Sequence, residues 1–110
     1  MIRIKIARNR DGFITGFTAE GHAGYAECGS DIVCAAVSVT AYTAVGALEN
    51  LAGLKGIYTE KDGYMSCNIP EEMPEEVKQT VKIIMETTVI SFKQIEYSYG
   101  SYVRVFDKEV

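Results

Sequence analysis

His22 and Cys34 are the two side chains of this sequence whose types and spacing point to nucleophilic chemistry. They lie in the run Gly21-His-Ala-Gly-Tyr-Ala-Glu-Cys-Gly-Ser-Asp-Ile-Val-Cys-Ala-Ala-Val-Ser38. His22 is the one histidine of 110 residues, so an imidazole-assisted step must use it unless two subunits share a site. Cys34 falls where Gly29, Ser30 and Asp31 give way to a helical pattern, which predicts a thiol in the first turn of a helix. Unpaired backbone N–H groups and the positive end of the macrodipole there favour thiolate, the reactive form. A cysteine-dependent enzyme is the chemistry this arrangement implies.

Each of these residues also has a plainer reading. Cys34 is followed by Ala35, Ala36 and Val37, and a buried helix cysteine is a common small hydrophobe. His22, flanked by Gly21, Ala23 and Gly24, reads either as a loop imidazole without a partner or as the base for Cys34. Asp31 suits an N-cap, or it accepts a hydrogen bond from His22 and holds the useful tautomer. Ser38 lies one helical turn from Cys34 and reads as a packing residue or substrate contact rather than a nucleophile. Cys28 is a spectator or a redox-sensitive thiol, and Cys67, in a strand pattern, is expected in the core. Three cysteines make no disulfide framework. His22, Cys28, Cys34 and Cys67 could supply four zinc ligands, but their spacing lacks a C-x2-C knuckle, so neither metal nor cofactor is expected.

The elements that must position these groups can be read along the chain. Residues 2–8 alternate Ile2, Ile4 and Ile6 with Arg3 and Lys5, predicting a strand. Asn9-Arg10-Asp11-Gly12 is turn chemistry, and residues 13–19 make the return strand. Residues 21–29 read as a glycine-bearing loop able to move over a substrate. A helix is predicted from about Asp31 to Asn50, with Gly53 beyond its end. Its Ile32, Val33, Val37, Val39, Val45 and Leu48 surround the axis, which predicts burial on more than one side and a possible subunit interface. Residues 57–60 and 64–69 form a second hairpin about Lys61-Asp62-Gly63. Pro74 suits a first helical position, and a second helix is predicted to about Ile95, with Ile83 and Ile90 on its opposite face. Residues 97–106, rich in tyrosine and valine, read as the last strand. The prediction is one α+β domain over residues 1–110, a mostly antiparallel sheet of about five strands with two helices in the order ββαββαβ.

Bulk properties narrow the function classes. A net charge of −4 gives no global basic field, so nucleic acid is not expected as the main ligand. No apolar run was expected to approach the ~18 residues of a membrane span, and the first residues read as a strand rather than a signal peptide. A cytoplasmic location is expected.

The stretch Gly21-His22-Ala23 followed by Gly29-Ser30-Asp31-Ile32-Val33-Cys34-Ala35-Ala36-Val37-Ser38 resembles the ribosomal-processing cysteine protease family, Prp, and the resemblance extends in length and element order over essentially the whole chain. It implies a Cys–His endopeptidase that removes a short hydrophobic N-terminal extension from a large-subunit ribosomal protein in certain bacteria. Cys34 would be nucleophile and His22 its base, with Gly21, Asp31 and Ser38 as supporting positions and the Cys34 amide one candidate for the oxyanion site. The resemblance also implies a homodimer. Two other classes share parts of the pattern: a non-catalytic ribosome-associated binding module, and a thioesterase or acyltransferase using the same Cys–His pair.

Overall fold

The isoleucine alternation becomes strand β1 (Ile2–Arg8), with Ile2, Ile4 and Ile6 buried and Arg3 and Lys5 exposed. The computed structural model describes residues 1–27 and 31–108; the expectations placed on Cys28, Gly29 and Ser30 lie outside the described residues. Strand β2 (Ile14–Glu20) returns antiparallel, pairing Phe17 with Ile6 and Glu20 with Arg3. Between them the Asn9 side-chain oxygen accepts the amides of Asp11 and Phe13, the local bonding that makes asparagine a turn residue. Strands β3 (Tyr58–Lys61) and β4 (Tyr64–Asn68) form the second hairpin. Strand β4 lies antiparallel beside β2, and β5 (Val103–Asp107) lies parallel beside β1. The sheet order is β3-β4-β2-β1-β5, so the chain has the predicted ββαββαβ order on a five-stranded mixed sheet. The single parallel pair arises because the second helix carries the chain across the sheet before β5 starts.

Helices α1 (Ile32–Leu51) and α2 (Glu75–Tyr99) supply the rest of the core. α1 buries Val33, Val37, Ala41, Ala44, Val45 and Leu48, and Phe92 of α2 meets Phe17 of β2 edge-on at 5.5 Å. By length and composition alone α1 is apolar enough to cross a bilayer, with mean hydropathy 1.6 over an 18-residue window, contrary to the expectation from sequence. Its Val33, Val37, Ala41, Ala44, Val45 and Leu48 are nevertheless buried, as in a core helix. Burial on several sides is not what the chain alone gives, since Val39 is 64% exposed and Ile32 is 52% exposed. One sheet-facing layer of two helices covers only their inner faces. Ile83 and Ile90 of α2 are likewise exposed.

The C-terminal boundary departs from the sequence reading. Residues 97–99 are helical, not strand, and β5 begins only at Val103. The spacing Phe92, Ile95, Tyr99 continues the inward stripe of α2 for another turn, and that packing outweighs the strand preference of the tyrosines. Gly100 then ends the helix, and the Tyr102 amide donates to the Tyr99 carbonyl to turn the chain into β5. Pro74 is the N-cap rather than the first helical residue, leaving Glu75 and Glu76 in the first turn, where carboxylates suit the dipole.

A charged cluster ties the end of β1 to β5 and α2. The Arg8 guanidinium donates to Asp107 at 2.8 and 3.1 Å and to Glu86 at 2.8 Å, and Lys93 lies 2.9 Å from Asp107. The hydrogen bond from Arg8, aided by Lys93 and opposed by burial, pushes the Asp107 carboxyl down to about 2. A depressed carboxyl contributes stability that is complete above its ordinary value of 3.8 and is lost as pH falls toward about 2. Asp107→Asn is therefore expected to lower the melting temperature at neutral pH and to flatten its decline in acid. Melting curves of the two proteins that fall in parallel through that window would contradict this.

Candidate active site

Asp31 builds the start of α1. As N-cap it adopts an extended backbone, and its Oδ1 accepts the amides of Val33 at 2.9 Å and Cys34 at 3.0 Å. Its Oδ2 accepts the amides of Tyr25 at 3.0 Å and Ala26 at 3.3 Å from the preceding loop. One buried carboxylate thus ties the loop after β2 to the first turn of the helix. Burial alone would raise the Asp31 pKa, but the four backbone donors outweigh it and hold the carboxyl below its ordinary range. Its hydrogen bonds among the described residues are all to backbone amides and do not include His22.

That first turn presents Cys34, half-buried, with its Sγ accepting the Ala23 amide at 3.4 Å. The donor belongs to the residue next to His22, so the loop passes directly over the thiol. The Cys34 amide, a candidate oxyanion donor from sequence, is instead engaged by Asp31 as part of the cap. Cys67 contrasts with Cys34: it is fully buried in β4, and desolvation pushes its thiol up to about 11.

The loop leaves β2 through Gly21, whose φ of +98° is one that side chains rarely adopt, and whose added Cβ would run into the Met1 carbonyl. The Gly21 amide donates at 2.8 Å to the carbonyl of Gly63, in the turn between β3 and β4. His22 follows, exposed, and the tip of its ring lies over Gly63. Ala23 is buried, and Tyr25 packs edge-on against Tyr99 at 5.8 Å and Tyr102 at 5.1 Å. Within the loop predicted over residues 21–29, the described residues 23–26 thus make contacts with the Asp31 carboxylate, the Cys34 sulfur and these aromatic rings.

His22, Cys34 and Ser38 border two adjoining depressions. The larger, about 460 Å³, has an apolar floor that includes Ala19, Val37 and Met65. Tyr42 and Glu60 stand on its rim, where the phenol donates to the carboxylate and the bond raises the Tyr42 pKa. The smaller, about 380 Å³, lies toward Gly24, Ala26 and Ala35. An extended chain laid across the thiol would have room on both sides of it. Ser38, exposed one turn from Cys34, faces both spaces.

All five residues singled out from sequence thus gather at the junction of loop and helix: Gly21 and Asp31 shape the backbone, while His22, Cys34 and Ser38 border the depressions. The Ala23 amide, the Gly63 turn and the aromatic anchor of Tyr25 were not foreseen. Asp62-Gly63 was readable as a turn, but its place beneath His22 depends on Glu20 pairing with Tyr64, a long-range register with no local signal. Among the described residues no group of three or more His, Cys, Asp or Glu side chains is gathered as metal ligands.

Comparison with known proteins identifies what this arrangement is similar to. The family model described as cysteine protease Prp matches residues 1–104. The ribosomal processing cysteine protease Prp of Bacillus subtilis is 36% identical over 107 residues, covering 96% of each chain. The crystal structure of the essential ribosomal processing protease Prp of Staphylococcus aureus with a covalently linked product peptide superposes with a TM-score of 0.82 at 28% identity, covering 98% of this chain and all of that one. The same Staphylococcus aureus protease in complex with a substrate peptide gives a TM-score of 0.81 at 26% identity.

Proposed function

The chain belongs to the cysteine protease Prp family, and from that premise we propose that it trims the N-terminal segment of a large-subunit ribosomal protein, with Cys34 as nucleophile and His22 as its base. The observation that carries the residue assignment is the half-buried Cys34 sulfur, at a helix start, receiving the amide beside His22 at the junction of two depressions. The thiolate attacks the peptide carbonyl carbon, forming a C–S bond, and the C–N bond then breaks as the protonated imidazole returns its proton to the leaving amine. Water hydrolyses the resulting thioester and regenerates the thiol. The Ala23 amide is a backbone donor within reach of the Cys34 sulfur and would serve the developing oxyanion.

The supporting residues act through position. Gly21 lets the chain turn sharply into His22, Asp31 holds the thiol and the loop in one frame, and Ser38 lines the path of the substrate. The apolar floor of the larger depression suits the hydrophobic residues of a leader segment. A binding module that kept the pattern for folding alone would need neither an accessible thiol nor an open path over it. The substrate chemistry is that of ribosome maturation, so the enzyme acts in the cytoplasm. A homodimer is proposed as well: Val39 and Ile83 are exposed beside an apolar groove of about 350 Å³ between α1 and α2, a face one chain leaves uncovered.

Mass spectrometry of the extended ribosomal protein before and after incubation tests the reading. Cys34→Ala is expected to abolish shortening while the melting temperature stays nearly unchanged, and Cys34→Ser to be almost inactive. His22→Ala should lower the rate by about 10²–10⁴, the usual contribution of a general base. Retained cleavage by Cys34→Ala would end the assignment, and acyl-thioester turnover without peptide cleavage would favour the thioesterase class. For the dimer, sedimentation velocity at micromolar concentration should give twice the chain mass; a monomer boundary would remove it.

A further inference from the structure

Gly63 sits at the tip of the β3–β4 hairpin with φ +69°, which by itself explains a glycine in a tight turn. Its surroundings call for more than that. A Cβ at this position would stand 2.8 Å from His22 Nε2, 3.4 Å from Cε1 and 3.5 Å from Cδ2, so the whole distal edge of the imidazole occupies the space a side chain would fill. The same residue also accepts the Gly21 amide at 2.8 Å, so it touches both the backbone entering His22 and the ring itself. The turns at Gly12 and Gly24 have positive φ as well, +80° and +72°, yet a Cβ at either meets nothing within 4 Å. Backbone strain is common to all three positions; contact with the imidazole belongs to Gly63.

We propose that Gly63 is a positioning residue for the reaction: its missing side chain is the seat in which the tip of the His22 ring rests, aimed for exchange with Cys34. This rests on the Cys34–His22 reading. The ring is the free end of an exposed side chain, so a methyl group at 63 displaces the imidazole rather than the fold. The consequence is a fault in chemistry out of proportion to the loss of stability. The loss should appear in kcat; because Gly63 also lines the larger depression, a side chain there alters peptide binding as well, and alkylation of Cys34 by a small reagent reports the ring without that contribution.

Three variants separate the contributions. Gly63→Ala adds both strain and the collision, Gly63→Asn adds the collision in a residue that tolerates positive φ, and Gly12→Ala adds strain alone. Both Gly63 variants are expected to lose at least about tenfold in kcat for peptide cleavage, whatever the change in KM, by analogy with other misplacements of catalytic groups. They should also change the pH dependence of Cys34 alkylation by iodoacetamide, whereas Gly12→Ala should match the wild type in both. Wild-type kcat and an unchanged alkylation profile in Gly63→Asn would overturn the proposal, even if Gly63→Ala failed to fold. His22→Ala is measured alongside: if it retains full cleavage, the dyad reading fails, whereas loss in His22→Ala with full activity in Gly63→Asn rejects only the role of Gly63.

Discussion

The Asp31 carboxylate accepts two amides from the loop that carries His22 and two from the helical turn that carries Cys34. Those pieces belong to different elements, and the carboxylate joins them through their backbone amides. The carboxylate satisfies amides that would otherwise be orphaned at the helix start, and in doing so brings the chain back across the sulfur. Its depressed pKa reflects the same four donors. Loss of this group would unfasten the site as well as fray the helix.

The sheet supplies the second constraint. Because β4 pairs with β2, the β3–β4 turn comes to lie beside the exit of β2, where Gly21 bonds Gly63 and the imidazole finds its seat. The other end of the loop is held by Tyr25 against Tyr99 and Tyr102, residues from the end of α2 and the turn that follows it. Thus the C-terminal elements and the central hairpin both bear on a loop of a few residues. Support spread over several elements holds the side chains of one site more closely than a loop would alone.

Much of this was legible in the residues. Isoleucine alternation, Asn9–Gly12 turn chemistry and a capping Asp31 are local signals, and the structure carries each of them through. The end of α2 was misplaced because the composition of residues 97–99 favours a strand while their spacing continues a helix; packing against the core decides between them. The apolar circumference of α1 was visible, but which face the sheet would cover was not, and Val39 proves to be on the open side. The Cys34 amide, one candidate for the oxyanion site, is engaged by the Asp31 cap. Least legible were Ala23 and Gly63, whose importance comes from strand register and close approach rather than from residue type.

The account stands on the imidazole of His22 reaching the sulfur of Cys34, and a bifunctional reagent measures that reach directly. In 1,3-dibromoacetone the thiolate displaces one bromide and a neighbouring imidazole nitrogen the other, leaving a three-carbon bridge. After labelling of the folded protein, unfolding and cleavage following Glu27 would separate the two residues, so a bridge appears as two joined peptides in the mass spectrum. The predicted result is Cys34 joined to His22 as the dominant product, lost when the protein is unfolded before labelling. Cys34 alkylated in full with His22 never joined to it would contradict the account.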